Sequence, residues 1–225
     1  MDIETLKKEI QGQVRSSMLL STAFIGIHNH LFDILHSHSR MAAELLAKTS
    51  NSDLAYLKRW LDAAYSFGLI DEENENFFLT ETGLLFTANH ESSMMGAAIQ
   101  AVLGAHMADR ISALMKSGER PGESILLERP SIAQNFGVML EKGFSPLFNQ
   151  IILPGLAFFK TVNENRGSIL DLGCGNGWYL RNIAKVYPDI KGTGVDGFSE
   201  NINEAKRLSE KEGLHKRLDF SEGDL

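Results

Sequence analysis

The chain has 225 residues, enough for one large domain or two small ones at a typical size of ~150 residues per domain. Hydrophobic residues make up 43% and charged residues 23%, which is ordinary for a globular protein and excludes a disordered or collagen-like chain. The formal net charge of −7 argues against a nucleic-acid scaffold, whose surface is usually basic, so we expect no nucleic-acid partner.

Three further features bear on the cellular compartment. The N-terminal segment MDIETLKKEIQG is polar and acidic, where a signal peptide would need an apolar core. No run approaches the ~18 consecutive apolar residues of a membrane helix. Cys174 is the only cysteine, so no disulfide can form within the chain. We therefore expect a cytoplasmic protein with no membrane partner.

Helical periodicity dominates the N-terminal third. Residues 4–46 have a helical pattern, and the strongly apolar segment from Met18 to Leu35 is interpreted as one helix with apolar residues on more than one face. A short helix is predicted at Met41–Ala47 and another from Asp53 to Phe67, which Gly68 would end.

Two short strands are predicted next, Leu69–Ile70 and Phe77–Thr80, joined by an acidic turn. Three helices followed by a hairpin predict a winged helix-turn-helix, with an irregular helical cap as the alternative. Helices then follow at Ser92–Lys116, Ser131–Lys142 and Leu147–Phe159.

The pattern changes after a short polar linker, Asn163–Gly167. Strands are predicted at Ile169–Leu172, Gly192–Val195 and Leu218–Phe220, with helices at Trp178–Tyr187 and Ser199–Glu212 between them. This alternation predicts parallel strands joined by right-handed crossovers. The fold class is therefore α/β, with a helical, winged-helix N-terminal part and the first three strands of a doubly wound sheet. The predicted parts are 1–90, a helical linker 91–165 and 166–225.

The segment ILDLGCGNGWYL places three glycines, Gly173, Gly175 and Gly177, between a strand and a helix. Glycines there allow a tight turn and a close ligand, and the helix N-terminus offers free amide donors. A dinucleotide fingerprint needs a small residue where Trp178 stands, and a phosphate-binding P-loop needs lysine after its last glycine. Asp171 would repel a pyrophosphate but would favour a ligand carrying an amino group and a sulfonium.

The run Asp171–Gly177 resembles the first motif of class I S-adenosylmethionine-dependent methyltransferases. Gly194-Val195-Asp196 resembles the second motif, whose carboxylate accepts hydrogen bonds from ribose hydroxyls, and Phe220–Asp224 resembles the third. The resemblance implies S-adenosyl-L-methionine as cofactor, a small-molecule methyl acceptor and methyl transfer. The implied cofactor-binding residues are Asp171, Gly173, Cys174, Gly175, Gly177, Asp196, Gly197, Phe198, Asp224 and Leu225.

The resemblance assigns Phe198 to the adenine face and Asp224 to the adenine amino group. It leaves open whether oxygen, nitrogen or carbon accepts the methyl group, and it assigns no catalytic base. Cys174 receives no catalytic role.

The N-terminal part resembles the dimerisation domain of small-molecule O-methyltransferases in four segments, Ala43–Leu46, Leu57–Leu61, Gly68–Ile70 and Leu79–Gly83. The resemblance implies that the helices of the linker, 91–165, line the substrate pocket. This resemblance implies a homodimer held by the N-terminal helices. Independently of it, the apolar circumference of Met18–Leu35 predicts that one face is buried against a second copy. The alternative is that the helices of residues 92–159 cover that face within one chain.

The chain ends directly after the third predicted strand, whereas a class I methyltransferase sheet has seven. We expect a C-terminally truncated chain that lacks the catalytic half. The alternatives are a natural short product and an unusual ending that closes the sheet with a partner chain. The alternative function is a non-catalytic winged-helix binding or regulatory module. Residues 1–90 carry seven Lys or Arg and twelve Asp or Glu, a net charge of −5 that disfavours DNA binding.

Four histidines, His28, His30, His36 and His38, lie close together in the sequence. Their separations of two, six and two do not match the spacings of three or four that a helical zinc site uses. We expect surface and capping histidines and no metal.

Overall fold

The computed structural model describes residues 2–122, 125 and 128–223, with the side chains of residues 133 and 134 excepted. The chain forms two compact units, Met1–Asn135 and Phe136–Leu225. The helical residues 136–164 thus group with the parallel sheet, although the sequence pattern changes only at Asn163–Gly167. The three-part division of the chain stays a prediction.

The first unit begins with two helices where the sequence predicts one. Helix α1 spans Ile3–His28, and its N-terminus is capped by the Asp2 carboxylate, which accepts from the Thr5 amide at 2.9 Å. Helix α2 spans Leu31–His38, bent by 71° from α1. His30 lies between them with φ of +57°, a left-handed conformation that no helix interior tolerates.

The prediction of one continuous helix over Met18–Leu35 is therefore wrong. So is the inference that such a helix must bury one apolar face against a second copy of the chain. Because the two helices diverge at His30, Phe24, Ile27, Phe32 and Leu35 are all buried within one chain. Among the large apolar residues of this segment, Met18 and Ile25 are exposed, at 59% and 49%.

A small antiparallel sheet follows, with helices between its strands. Its strands are β1 Met41–Ala42, β2 Ile70–Glu73 and β3 Asn76–Leu79, in the order β1-β3-β2. The helices between β1 and β2 are α3 Ala43–Thr49 and α4 Leu54–Ser66. The predicted helix Met41–Ala47 thus begins two residues late, because its first two residues pair with β3. The predicted hairpin is confirmed, and its two-residue turn has positive φ at both positions.

The core of the first unit contains aromatic side chains. The Phe32 ring lies 5.6 Å from the rings of Trp60 and Phe86, and the Trp60 indole N–H donates to the Thr22 carbonyl at 2.9 Å. A Cβ at Gly26 would lie 2.4 Å from the Phe32 ring, so only glycine lets α1 approach this cluster.

Two more helices complete the described part of this unit, α5 Glu81–Leu84 and α6 Met95–Ser117. Over residues 2–122, 125 and 128–223, no single helix is long and apolar enough to cross a membrane. Helices α1 and α2 meet the length and composition criteria only when they are taken together.

Helix α7 spans Pro130–Leu147, and its residues from Phe136 onward belong to the second unit. It continues into a π-helical segment, Phe148–Ile152, then α8 Leu153–Gly155 and α9 Ala157–Glu164. The predicted helix Leu147–Phe159 is therefore divided, since Leu156 adopts an extended conformation between α8 and α9.

The parallel strands of the second unit are predicted correctly. They are β4 Ser168–Leu172, β5 Lys191–Asp196 and β6 Leu218–Glu222, paired in the order β4-β5-β6. The crossover helices are α10 Trp178–Val186 and α11 Ser199–Lys211. Asp171 pairs in register with Gly194, so the ends of β4 and β5 that carry the predicted motifs lie side by side.

Candidate functional site

The glycine loop connects β4 to α10 at the carboxyl edge of the parallel sheet. The amides of Gly173 and Cys174 donate to the Val195 carbonyl at 2.8 and 3.0 Å, which fixes the start of the loop on β5. Gly173, Gly175 and Gly177 have φ of +73°, +52° and +72°, a region that L side chains rarely adopt. The predicted strand, glycine loop and helix are confirmed as local structure.

Two of these glycines also differ in the space around them. A Cβ at Gly177 would lie 2.6 Å from the Phe220 ring, so this glycine lets α10 pack closely on the sheet. Among the described residues, apart from its two chain neighbours, no atom lies within 4 Å of the place where a Cβ at Gly175 would be, so the loop is open to them there. A ligand can therefore approach the backbone of Gly175.

The Asp196 carboxylate, at the end of β5, fixes the far side of the loop. It is buried and accepts from the Gly175 amide at 2.8 Å, the Phe198 amide at 3.0 Å and the Asn201 side-chain amide at 3.0 Å. Two of these bonds reach Oδ1 and one reaches Oδ2, so Oδ2 retains one accepting position.

The Asp171 carboxylate has the opposite surroundings. Within the described residues, no hydrogen bond reaches its side chain, although it is half-buried at the end of β4. Burial, and then the negative charge of Asp196, raise the pKa of Asp171 from 3.8 to about 6. A half-buried carboxylate with no cation beside it is a position where a positively charged ligand group would be stabilised.

The Cys174 side chain points into the protein core. A Cβ at Gly194 would lie 2.8 Å from Cys174 Sγ, and the thiol is 3% exposed. Burial, with smaller effects from Asp171 and Asp196, raises the pKa of this thiol to about 12. The buried thiol of Cys174 is therefore not placed to act as a nucleophile.

The remaining predicted site residues lie at the ends of β5 and β6. Gly197 is exposed, and Phe198 is half-buried with its amide bonded to Asp196. Asp224 and Leu225, which the resemblance assigns to the cofactor, lie outside the described residues.

Two asparagines take part in the site although the sequence reading did not single them out. Asn201 lies in the first turn of α11, and its side-chain amide donates to Asp196. Asn176, inside the loop, accepts from the Trp178 amide at 3.2 Å through Oδ1 and donates to Glu141 at 2.9 Å through Nδ2. The only sequence signal for Asn176 is its place as a capping residue before a helix.

Among the residues that the structure describes, no group of three His, Cys, Asp or Glu side chains could hold a metal ion. His38 Nδ1 lies 2.9 Å from the Ile34 carbonyl. The buried His106 has its Nε2 3.0 Å from the Ile125 carbonyl. These histidines therefore have local structural contacts.

Comparison with known protein families finds a match within the second unit. Residues 163–225 match the family model of a methyltransferase domain. No curated protein sequence is significantly similar to the chain.

Solved structures with similar folds extend the comparison to the N-terminal region. N,N-8-amino-8-demethyl-D-riboflavin dimethyltransferase from Streptomyces davawensis has a TM-score of 0.63 and 22% identity, covering 100% of this chain and 68% of that one. An O-methyltransferase family protein from Burkholderia thailandensis has a TM-score of 0.64 and 18% identity, and the match covers 100% of this chain and 65% of that one. Human N-acetylserotonin methyltransferase, solved with S-adenosylmethionine, has a TM-score of 0.64 and 18% identity, and the match covers 100% of this chain and 67% of that one.

These comparisons confirm the predicted methyltransferase resemblance for residues 163–225. They also confirm an α/β fold with a helical N-terminal region. The chain spans about two thirds of the length of these solved structures.

Proposed function

We propose that the protein is a methyltransferase that binds S-adenosyl-L-methionine at the carboxyl ends of β4 and β5 and methylates a small molecule. The observation that carries the proposal is the Asp171 carboxylate, which is half-buried without a hydrogen-bond partner among the described residues, near the open backbone at Gly175. The amino group and sulfonium of S-adenosylmethionine supply the positive charge that such a carboxylate favours.

Asp196 suits the ribose of the same ligand. Its Oδ2 keeps one accepting position after the bond from Gly175, which a ribose hydroxyl could occupy. The bond from Gly175 also keeps the loop against β5, so the carboxylate both orders the loop and leaves one acceptor for the ligand. The roles of Phe198 and Asp224 in adenine binding, and of Gly197 and Leu225 in cofactor binding, stay part of the proposal.

Other nucleotide ligands fit this loop less well. Trp178 takes the place of the small third residue of a dinucleotide fingerprint, and its ring lies 5.8 Å from the Phe148 ring. Two carboxylates, Asp171 and Asp196, would repel a pyrophosphate at the same edge of the sheet.

The chemistry expected of such a site is an in-line displacement. When bound, S-adenosylmethionine supplies the electrophilic methyl group. The protein contributes by orientation: the glycine loop and Asp196 fix the ribose end, and Asp171 holds the amino end. An oxygen acceptor would also need a general base, and no described residue is assigned that role.

Calorimetry with S-adenosylhomocysteine, which keeps the amino group and ribose, tests this proposal. We expect the wild-type chain to bind it and not to bind NAD. Asp171→Asn removes the charge without changing the size of the side chain, and should weaken binding about tenfold or more. Asp219→Asn, on the exposed face of β6, is the matched control and should bind like the wild type. Tight NAD binding, or equal S-adenosylhomocysteine affinity in Asp171→Asn, would contradict the proposal.

The N-terminal region supports a role in forming a homodimer. Five apolar residues of α1 recur at separations of three and four and are 43–72% exposed; they are Ile3, Leu6, Ile10, Val14 and Met18. The homodimer is therefore proposed on this apolar stripe of α1. The apolar circumference of Met18–Leu35 no longer supports it, because the bend at His30 lets one chain bury most of those residues. Burial of the stripe against the same stripe of a second copy would satisfy two-fold symmetry.

The second candidate function is a non-catalytic winged-helix binding or regulatory module. The order of elements in residues 31–79, helix, strand, two helices and a hairpin, favours it. Charge argues against a nucleic-acid partner, because residues 1–90 carry a net charge of −5 and Lys58 Nζ on α4 pairs with Glu44 at 3.0 Å. The cytoplasmic location stays a prediction.

A further inference from the structure

The glycine loop contains an asparagine, Asn176, whose side-chain oxygen and nitrogen are both hydrogen-bonded. Asn176 is 5% exposed, and its Oδ1 accepts from the Trp178 amide, one of the free amides at the start of α10. Its Nδ2 donates to Glu141 Oε2 at 2.9 Å. The side chain can meet both demands in one orientation only, since a flipped amide would place a donor against the Trp178 N–H.

Glu141 comes from helix α7, outside the segment that matches the methyltransferase domain model. The same Oε2 atom accepts a second bond, from the Arg181 guanidinium at 2.9 Å. Arg181 is 1% exposed and also pairs with Glu212 at 2.6 Å, so Glu141 and Glu212 flank one buried cation. Only one of these two carboxylates touches the loop.

The backbone of α7 comes close to the loop at the same place. A Cβ at Gly137 would lie 3.2–3.3 Å from three atoms of the Asn176 side chain, tighter than most real contacts. Gly137 and Glu141 are one helical turn apart, so they lie on the same face of α7. One face of α7 therefore both packs on Asn176 and accepts its hydrogen bond.

From these contacts we infer that Glu141 is a positioning residue for cofactor binding. It holds Asn176 in the orientation that caps α10 and thereby keeps the glycine loop in its binding conformation. The inference deepens the proposed function and rests on it for the link to the cofactor, but the restraint on the loop is a property of the unliganded protein as well.

The first test measures S-adenosylhomocysteine affinity by calorimetry in three variants. Glu141→Ala should weaken binding about tenfold or more, because a charge-assisted hydrogen bond to the loop is lost. Glu141→Gln keeps an acceptor oxygen and should restore the affinity to within about threefold of wild type. Glu212→Ala is the matched control, because it also removes one carboxylate from Arg181 but leaves Asn176 bonded.

We expect Glu141→Ala and Glu212→Ala to lower the midpoint of thermal unfolding by similar amounts, while only Glu141→Ala lowers affinity. If Glu212→Ala weakens binding as much as Glu141→Ala, Glu141 acts only by stabilising Arg181 and the inference is wrong. Unchanged affinity in Glu141→Ala would also overturn it.

The second test uses hydrogen exchange in the absence of ligand. The Trp178 amide should exchange about tenfold faster in Glu141→Ala than in wild type or Glu212→Ala, because its acceptor on Asn176 is released. If the Trp178 amide exchanges faster in Glu141→Ala but the wild-type chain binds no S-adenosylhomocysteine, the proposed cofactor is wrong and the restraint of the loop by Glu141 stands. Unchanged exchange at this amide would refute the restraint, whichever ligand binds.

Discussion

The two carboxylates at the ends of β4 and β5 have opposite surroundings, and this difference decides what each contributes to the folded protein. Asp196 is buried with three hydrogen-bond donors, so it stabilises the loop that it contacts. Asp171 is half-buried without such donors in the described residues, and its pKa of about 6 lies above the ordinary 3.8. The folded chain therefore holds the Asp171 proton more tightly than the unfolded chain does.

This difference in pKa predicts a dependence of stability on pH with a definite sign. The contribution of Asp171 to the free energy of unfolding is most favourable below pH 3.8 and is lost as the pH rises through about 6. We expect Asp171→Asn to raise the midpoint of thermal unfolding by about 2–4 °C at pH 8. The gain should vanish near pH 4, where the wild-type carboxyl is protonated in the folded chain. Thermal scans at both pH values measure this, with Asp219→Asn as control, and an equal gain at both would contradict the assignment.

At the scale of the elements, the stripe on α1 predicts a dimer that specific charges disrupt. Ile10→Glu with Val14→Glu places two carboxylates in the proposed interface and should raise the dimer dissociation constant at least about a hundredfold. Light scattering over a range of concentrations measures this change.

Lys8→Glu is the matched control for the dimer experiment. It lies two residues from Ile10 and thus about 160° round α1, and its side chain is exposed. It should leave the dimer intact. A wild-type chain that stays monomeric at micromolar concentration would contradict the proposed dimer. A dimer that Ile10→Glu with Val14→Glu leaves intact would show that the interface does not include the stripe.

The elements also show which structural features local sequence patterns can predict. The strands β4, β5 and β6 and the glycine loop follow from contiguous patterns, in which short strand segments alternate with helical ones and β4 leads directly into the three glycines. The bend between α1 and α2 could not be predicted, because Asn29 and His30 interrupt an apolar register without any proline or glycine. The strand β1 was missed since two residues at a helix start leave no period to detect.

The site shows the same limit at longer range. Asp171 and Asp196 could be predicted because each ends a strand, and parallel strands bring their ends together. The bond from Asn176 to Glu141 joins residues 35 positions apart, and neither periodicity nor spacing reports such a contact. Positioning residues outside a motif therefore become visible only in the folded chain.

At the scale of the whole molecule, the charge distribution predicts the outcome of a DNA-binding experiment. With a net charge of −7 overall and −5 in residues 1–90, the chain should give no mobility shift with duplex DNA, even at about 50 mM salt. Glu44→Lys with Asp62→Lys, which raises the net charge of residues 1–90 from −5 to −1 and adds two lysines near Lys58, should introduce weak binding to any sequence. A tight, sequence-specific complex of the wild-type chain would favour the regulatory module instead.

The position of Cys174 has a practical consequence for spectroscopy. It is the only cysteine in the sequence, and its sulfur is enclosed by Gly194 and the core of the second unit. A maleimide or spin-label reagent therefore meets no accessible native thiol on the folded chain. Pairs of cysteines introduced at exposed positions can carry donor and acceptor dyes directly, so interprobe distances can be followed in the otherwise unaltered sequence.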